Sequence, residues 1–194
     1  MRRRSKTLNG QYTRSYGSSL IFTRDPALVA PDGKTIGYTS LAWEACRSAF
    51  GYAGDMRQDN VEPYHVLFGL LRTEDSVFKD VLMACGVDVA GLRTALEAAV
   101  PRAKQSHRHA RMITPQGLRL ASRGSWQMTF RTQVVDDIAE QEAIRSGVEN
   151  RTTGHILLGL LGEGLTVAAQ VLFARGVDAD EFRYMMQFCP LETP

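Results

Sequence analysis

His155-Ile156-Leu157-Leu158-Gly159-Leu160-Leu161 and, 90 positions earlier, His65-Val66-Leu67-Phe68-Gly69-Leu70-Leu71 are two versions of one string. The correspondence runs on without a gap. Val77 meets Val167, Val81-Leu82 meets Val171-Leu172, and Ala84 meets Ala174. Gly86-Val87-Asp88 meets Gly176-Val177-Asp178, and Arg93 meets Arg183. Thirteen of the 29 positions from 65 to 93 are identical to their partners in 155–183, where chance gives about two, so this is an internal repeat. Upstream the match is looser: Ala45, Ala49 and Ala53 face Val135, Ala139 and Ala143.

The repeat unit is helical. Leu41, Ala42, Ala45, Ala49 and Ala53 recur at three- and four-residue spacing, the period of a helix with one packed face. Pro63 suits the first turn of a second helix, where its missing N–H costs nothing. A third helix over about 76–85 stops at Gly86, as a left-handed C-terminal cap does. Asp88 then starts a fourth, carrying Leu92 and Leu96. Gly69 and Gly159 sit inside helices, where glycine costs about 1 kcal/mol relative to alanine. Finding one in both copies, flanked by leucines, points to close approach of a neighbouring helix. Each unit has apolar stripes it cannot cover alone, and two units packed by pseudo-twofold symmetry bury them together.

These strings resemble the Clp repeat, which occurs twice in the N-terminal domain of ClpA/ClpC-type AAA+ unfoldases. The likeness rests on 155–161, on Val167-Ala168-Ala169-Gln170-Val171-Leu172 and on Gly176-Val177-Asp178. Ala143-Ile144-Arg145-Ser146-Gly147 resembles the end of the family's first helix, and Thr153-Gly154-His155 its Thr-Glu-His lead-in. The resemblance implies an all-α domain of two four-helix repeats, 38–98 and 132–187, joined by a basic connector over 99–131. Residues 1–37 then form a basic arm, with a short hairpin expected around Pro31-Asp32-Gly33-Lys34, and 188–194 a tail. It also implies a domain that binds adaptors or substrates. In several ClpC proteins it recognises phosphorylated arginine through an acid just before the repeat's histidine. Here those positions are Tyr64 and Gly154, so that acid is missing in both copies, and Glu62 is the nearest carboxylate in the first. Glu62, Tyr64, Thr152 and Thr153 are the candidate ligand-binding residues on this ground. His65, Gly69, Gly86, His155, Gly159 and Gly176 are the structural positions of the repeat, with each histidine expected to bond across the repeat.

Of the 194 residues, 44% are hydrophobic and 23% charged, with a net charge of +2. The charge is segregated. Residues 1–24 carry Arg2, Arg3, Arg4, Lys6, Arg14 and Arg24 and no acid, a composition compatible with an organelle transit peptide. Residues 94–131 carry seven Lys/Arg against Glu97 alone, and 35–92 and 132–194 are each net acidic. Such asymmetry reads as acidic folded halves with basic solvated segments. Those segments, with Arg2, Arg3, Arg4, Lys104, Arg108 and Arg111, support nucleic-acid binding as the alternative reading. Trp126, within the connector, is the expected exposed anchor for a partner.

Catalytic and cofactor signals are absent. Gly33-Lys34-Thr35 lacks the glycine five residues earlier that a P-loop needs, Leu28 standing there. Cys46, Cys85 and Cys189 lack paired spacing for zinc or disulfides. Gly-x-Ser-x-Gly is missing. Asp136-Asp137 reads as charge complementing the start of a helix. No stretch approaches 18 apolar residues, so no membrane span is expected. The expectation is a stand-alone, cytoplasmic, non-enzymatic module without cofactor or metal, or a stromal one if 1–24 is a transit peptide. Its partners would be a ClpC/ClpA-type unfoldase, the Clp protease core, or their adaptors and substrates.

Overall fold

The computed structural model describes residues 36–58, 60–106 and 127–188. Twelve elements follow one another there. They are β1 (Gly37–Tyr38), α1 (Ser40–Asp55), β2 (Asn60–Val61), α2 (Pro63–Arg72), α3 (Ser76–Ala84) and α4 (Val89–Ser106). Then come β3 (Gln127–Met128), α5 (Phe130–Ser146), β4 (Asn150–Arg151), α6 (Thr153–Glu163), α7 (Val167–Ala174) and α8 (Ala179–Met186). The second six repeat the first six, and both strand pairs keep the offset of 90. The fold is all-α, two four-helix repeats, as the periodicity predicts. The expected hairpin around 31–34 and Trp126 lie outside the described residues. Helix α4 runs to Ser106 and α5 begins at Phe130, so the stretch set apart as a connector is helical at both its ends.

Local chemistry sets the boundaries. Thr39 and Thr129, again 90 apart, start α1 and α5, their side chains accepting from Ala42 N–H and Thr132 N–H. Asp75 and Thr166 cap α3 and α7 in the same way. An oxygen at that position satisfies one of the orphan donors of the first turn, which stabilises a helix by about 1 kcal/mol. Gly86 (φ 74°) and Gly176 (φ 81°) take the left-handed conformation that ends α3 and α7, where a side chain is strained.

The core is built from repeat-equivalent pairs. Leu67 and Leu157, Leu70 and Leu160, Leu82 and Leu172, and Leu92 and Phe182 are all fully buried. Each such side chain contributes about 1.5–3 kcal/mol relative to exposure. The glycine inference holds. A Cβ on Gly69 would stand 2.2 Å from the Ala45 carbonyl oxygen, and one on Gly159 would stand 2.3 Å from that of Val135. Helices α1 and α2, and likewise α5 and α6, touch backbone to backbone there.

The strands cross between repeats. β1 pairs in parallel with β4, Gly37 opposite Asn150 and Tyr38 opposite Arg151. β2 pairs with β3, Asn60 opposite Gln127 and Val61 opposite Met128. Each repeat's leading strand is thus held by the other repeat. Gly37, which the sequence assigns to the arm, belongs to this exchange. Helix contacts reinforce it: α2 meets α5, α6 and α7, while α4 meets α7 and α3 meets α8. Phe78 and Phe182 meet edge to face with centroids 6.5 Å apart, a geometry aromatic rings favour.

Candidate functional site

The candidate residues cluster at two equivalent helix starts, where β2 turns into α2 and β4 turns into α6. In the first, the Glu62 N–H donates to His65 Nδ1 at 2.9 Å. In the second, the Thr152 N–H donates to His155 Nδ1 at 3.0 Å. Each histidine closes a capping box on its own helix. Through Nδ1 each histidine thus bonds to the start of its own helix. An Nδ1 that accepts from main chain leaves the proton on Nε2, so both rings are neutral. Burial holds His155 down to about pKa 4 against the opposing pull of Glu142. Its Nε2 faces Ser146 Oγ at 3.3 Å.

Tyr64 and Gly154, one residue before each histidine, differ sharply. The Tyr64 phenol donates to Gln58 Oε1 at 2.6 Å and tilts against the His65 ring. Burial pushes it up to about pKa 12, so it is a neutral donor. At Gly154 a Cβ would stand 2.6 Å from Met186 Cε, so the end of the Met186 side chain on α8 lies against this position. Glu62 is half-buried and accepts from Thr129 Oγ1 at 3.4 Å. Thr152 is buried as the cap of α6. Thr153 is buried too, its hydroxyl donating to Asp75 Oδ2. Asp75 caps α3 with its other oxygen, at 2.9 Å from the Phe78 N–H, so this carboxylate ties the two repeats together. The structure thus places Tyr64, Thr152 and Thr153 inside the fold, with their polar atoms engaged by protein.

Beside the second helix start lies a polar cluster that sequence reasoning missed. Arg151 Nη2 donates to the Ile36 carbonyl at 2.7 Å, and Nε to that of Gly37 at 3.4 Å. Nη1 reaches Asp136 Oδ1 at 2.9 Å. The guanidinium lies 4.0 Å over the Tyr38 ring, whose hydroxyl donates to the same Asp136 oxygen. Asp136 stands in the second turn of α5 and answers Arg151, which corrects the reading of Asp136-Asp137 as a complement to the helix start. Burial, with Asp136 nearby, pushes the half-buried Cys46 thiol up to about pKa 12; this cysteine stays a thiol. The repeat-1 counterparts of Arg151 and Asp136 are Val61 and Cys46, so no sequence echo marked them. Glu142 forms a second buried carboxylate site. It accepts from Arg183 Nε and Nη2 at 3.0 and 3.1 Å, and from Arg145 Nη1 at 2.7 Å. Such paired forks are strong.

The described surface offers apolar anchors instead of a polar site. Trp43 is 60% exposed, its ring 6.0 Å from Tyr38. Met83 and Phe173, equivalent in the two repeats, are exposed as well, with Phe130, Leu165, Tyr184 and Phe188. Tyr184 and Phe188 meet edge to face at 4.9 Å. Among the described residues, no group of three or more His, Cys, Asp and Glu has the arrangement to hold a metal ion, and no single helix is long and apolar enough to cross a membrane. Arg2, Arg3, Arg4, Arg108 and Arg111 lie outside the described residues.

Residues 37–123 match the profile of the Clp repeat (R) N-terminal domain. Over that stretch the chain carries a Clp repeat domain. Curated relatives agree. A chaperone protein ClpB of Oceanobacillus iheyensis is 29% identical over 125 residues, covering 64% of this chain and 14% of the relative. The negative regulator of genetic competence ClpC/MecB of Bacillus subtilis is 27% identical over 146 residues, covering 75% of this chain and 16% of the relative. The chain thus spans about one-seventh of the length of these relatives. Among solved structures, the N-terminal domain of the chaperone ClpD of Arabidopsis thaliana aligns with a TM-score of 0.51 at 17% identity, covering 78% of this chain and 92% of that one. A chain from work on the ATPase ClpV, the TssB-TssC sheath and the accessory HsiE protein of type VI secretion aligns with a TM-score of 0.56 at 19% identity, covering 78% and 87%. A chain from a malarial protein secretion system aligns at 0.59 with 12% identity, covering 78% and 92%. At these identities the structural likenesses speak for the fold alone.

Proposed function

We propose that this Clp repeat domain is a non-catalytic protein-binding module of the Clp protein-quality-control system, acting in the cytoplasm or an organelle stroma. It acts as accessory, adaptor or decoy toward a ClpC-type unfoldase or the Clp protease. The observation that carries the reading is the pair of interlocked repeats on a chain similar in sequence to the ClpB and ClpC relatives, with Tyr64, Thr152 and Thr153 engaged inside the fold. A surface of exposed Trp43, Met83, Phe173 and Tyr184 is the material of protein contacts, where aromatic anchors carry most of the binding. Phosphoarginine recognition is not part of the proposal, since neither Tyr64 nor Gly154 supplies the acid.

Purified full-length protein, titrated against a ClpC-type unfoldase, the Clp protease core and their adaptors and substrates, tests this. Saturable binding to one of them that weakens at least tenfold in Trp43→Ala or Phe173→Ala supports the proposal. No binding to any at about 100 µM, roughly the weak end of specific recognition, contradicts it. The segregated basic charge of 1–24 and 94–131 favours a second reading, nucleic-acid association. That reading requires an affinity that falls steeply as salt rises.

A further inference from the structure

The outward face of α1 lies open. Ser40, Trp43, Glu44, Arg47 and Gly51 are all exposed. At 3.6 residues per turn they fall on one side of the helix, opposite the buried Ala42, Ala45, Ala49 and Ala53. The equivalent face of α5 is closed: Val134, Ile138 and Gln141, the counterparts of Glu44, Ser48 and Gly51, are each only 3% exposed. The chain therefore presents this face once. Trp43 is its anchor, 60% exposed and steadied by the Tyr38 ring at 6.0 Å. Glu44 and Arg47, opposite charges one turn apart, make no ion pair among the described residues. Gly51 leaves a gap, with nothing within 4 Å of where its Cβ would stand.

These features complement one another when the face meets its own copy. In an antiparallel pair of α1 helices related by a twofold axis, each step up one helix is a step down the other. The register that sets Glu44 level with the partner's Arg47 therefore also sets Ser40 level with the partner's Gly51. Both contacts occur twice, as in any isologous interface. Opposite charges meet in the middle, and small residues meet small ones at the ends. The backbones can then approach to the packing distance of about 8–10 Å. Trp43, next to Glu44, falls beside the partner's Arg47, whose guanidinium suits an aromatic face. A parallel pair would instead set Glu44 against Glu44, so charge selects the antiparallel one.

We propose that α1 is a self-association surface, through which two copies of the chain pair antiparallel by Trp43, Glu44, Arg47 and Gly51. Because repeat 2 lacks the open face, the association closes at a dimer. One pair of 16-residue helices is small beside the ~1,200–2,000 Å² of a stable interface. The dimer is therefore weak, with a dissociation constant on the order of 10–100 µM. In it Trp43 is withdrawn from any other partner. The inference does not depend on which partner the domain binds.

Sedimentation equilibrium of the full-length protein alone, from about 5 to 500 µM, tests it. No Clp component is present, so the outcome is separate from that of the binding experiment above. The proposal predicts monomer at the low end and dimer at the high end. Raising salt from about 0.05 to 0.5 M should weaken the dimer severalfold, because exposed ion pairs are screened. Glu44→Arg and Arg47→Glu each set like charges together, and each should weaken association about tenfold. An equimolar mixture of these two variants should associate again, since one chain then supplies two basic groups and the other two acidic ones. That recovery also shows that both variants fold. Monomer at the highest concentration overturns the proposal. So does association that ignores both reversals, or a mixture that stays monomeric.

Discussion

Arg151 joins two main-chain carbonyls of the incoming strand to Asp136 while lying on Tyr38. Removing one partner of such a buried set leaves the others unpaired. With Asp136 about one-third exposed, Arg151→Met is expected to cost about 3 kcal/mol, measured by urea denaturation. Val61→Ala, its counterpart, removes only apolar contact and should cost less. His155 sets a pH dependence. Its folded pKa of about 4 lies below the unfolded value near 6.5, so the unfolded chain binds the proton first. Its contribution is complete above pH 6.5 and is lost as pH falls toward 4, up to about 3 kcal/mol. His155→Gln should flatten that part of the stability profile. At this scale the sequence was legible where residues repeat. His65, His155 and the paired glycines announced themselves by identity at one spacing. Arg151, Asp136 and Glu142 did not, because they occur in one repeat only. Arg151 also meets Ile36 and Gly37 across more than 110 positions of chain, which no local pattern encodes.

Helix contacts turn on the glycines. Alanine at Gly69 or Gly159 gains about 1 kcal/mol of helix propensity but drives a Cβ to within 2.4 Å of a backbone oxygen across the interface. Helices α1 and α2, or α5 and α6, must then separate. The expected outcome is a net loss of about 1–3 kcal/mol in each variant, seen as a lower denaturation midpoint. Gly86→Ala and Gly176→Ala act through the backbone alone, since open space surrounds both positions. Each should cost about 1–2 kcal/mol, less than the buried pair. The element boundaries were readable from caps and periodicity. The strands were not: two residues long, they carry no alternation, and their partners lie in the other repeat. Burial of Thr152, Thr153 and Tyr64 was equally unreadable. A threonine at a helix start looks the same whether it faces a ligand or, as here, Asp75 of the neighbouring repeat.

The whole molecule is one interlocked unit, because β1 is held by β4, β3 by β2, and Asp75 binds Thr153 across the seam. Neither repeat keeps its leading strand if the other opens. Repeat proteins with only nearest-neighbour contacts can unfold unit by unit; exchange of strands forbids that here. Native-state hydrogen exchange, followed by mass spectrometry in peptides from α2 and α6, tests this most directly. The amides of Leu67–Leu70 and Leu157–Leu160 should exchange only through global unfolding, with opening free energies equal within about 1 kcal/mol. An α6 set that opens at a much lower free energy while α2 stays protected, or the reverse, would mean two separable repeats and would contradict the interlocked domain.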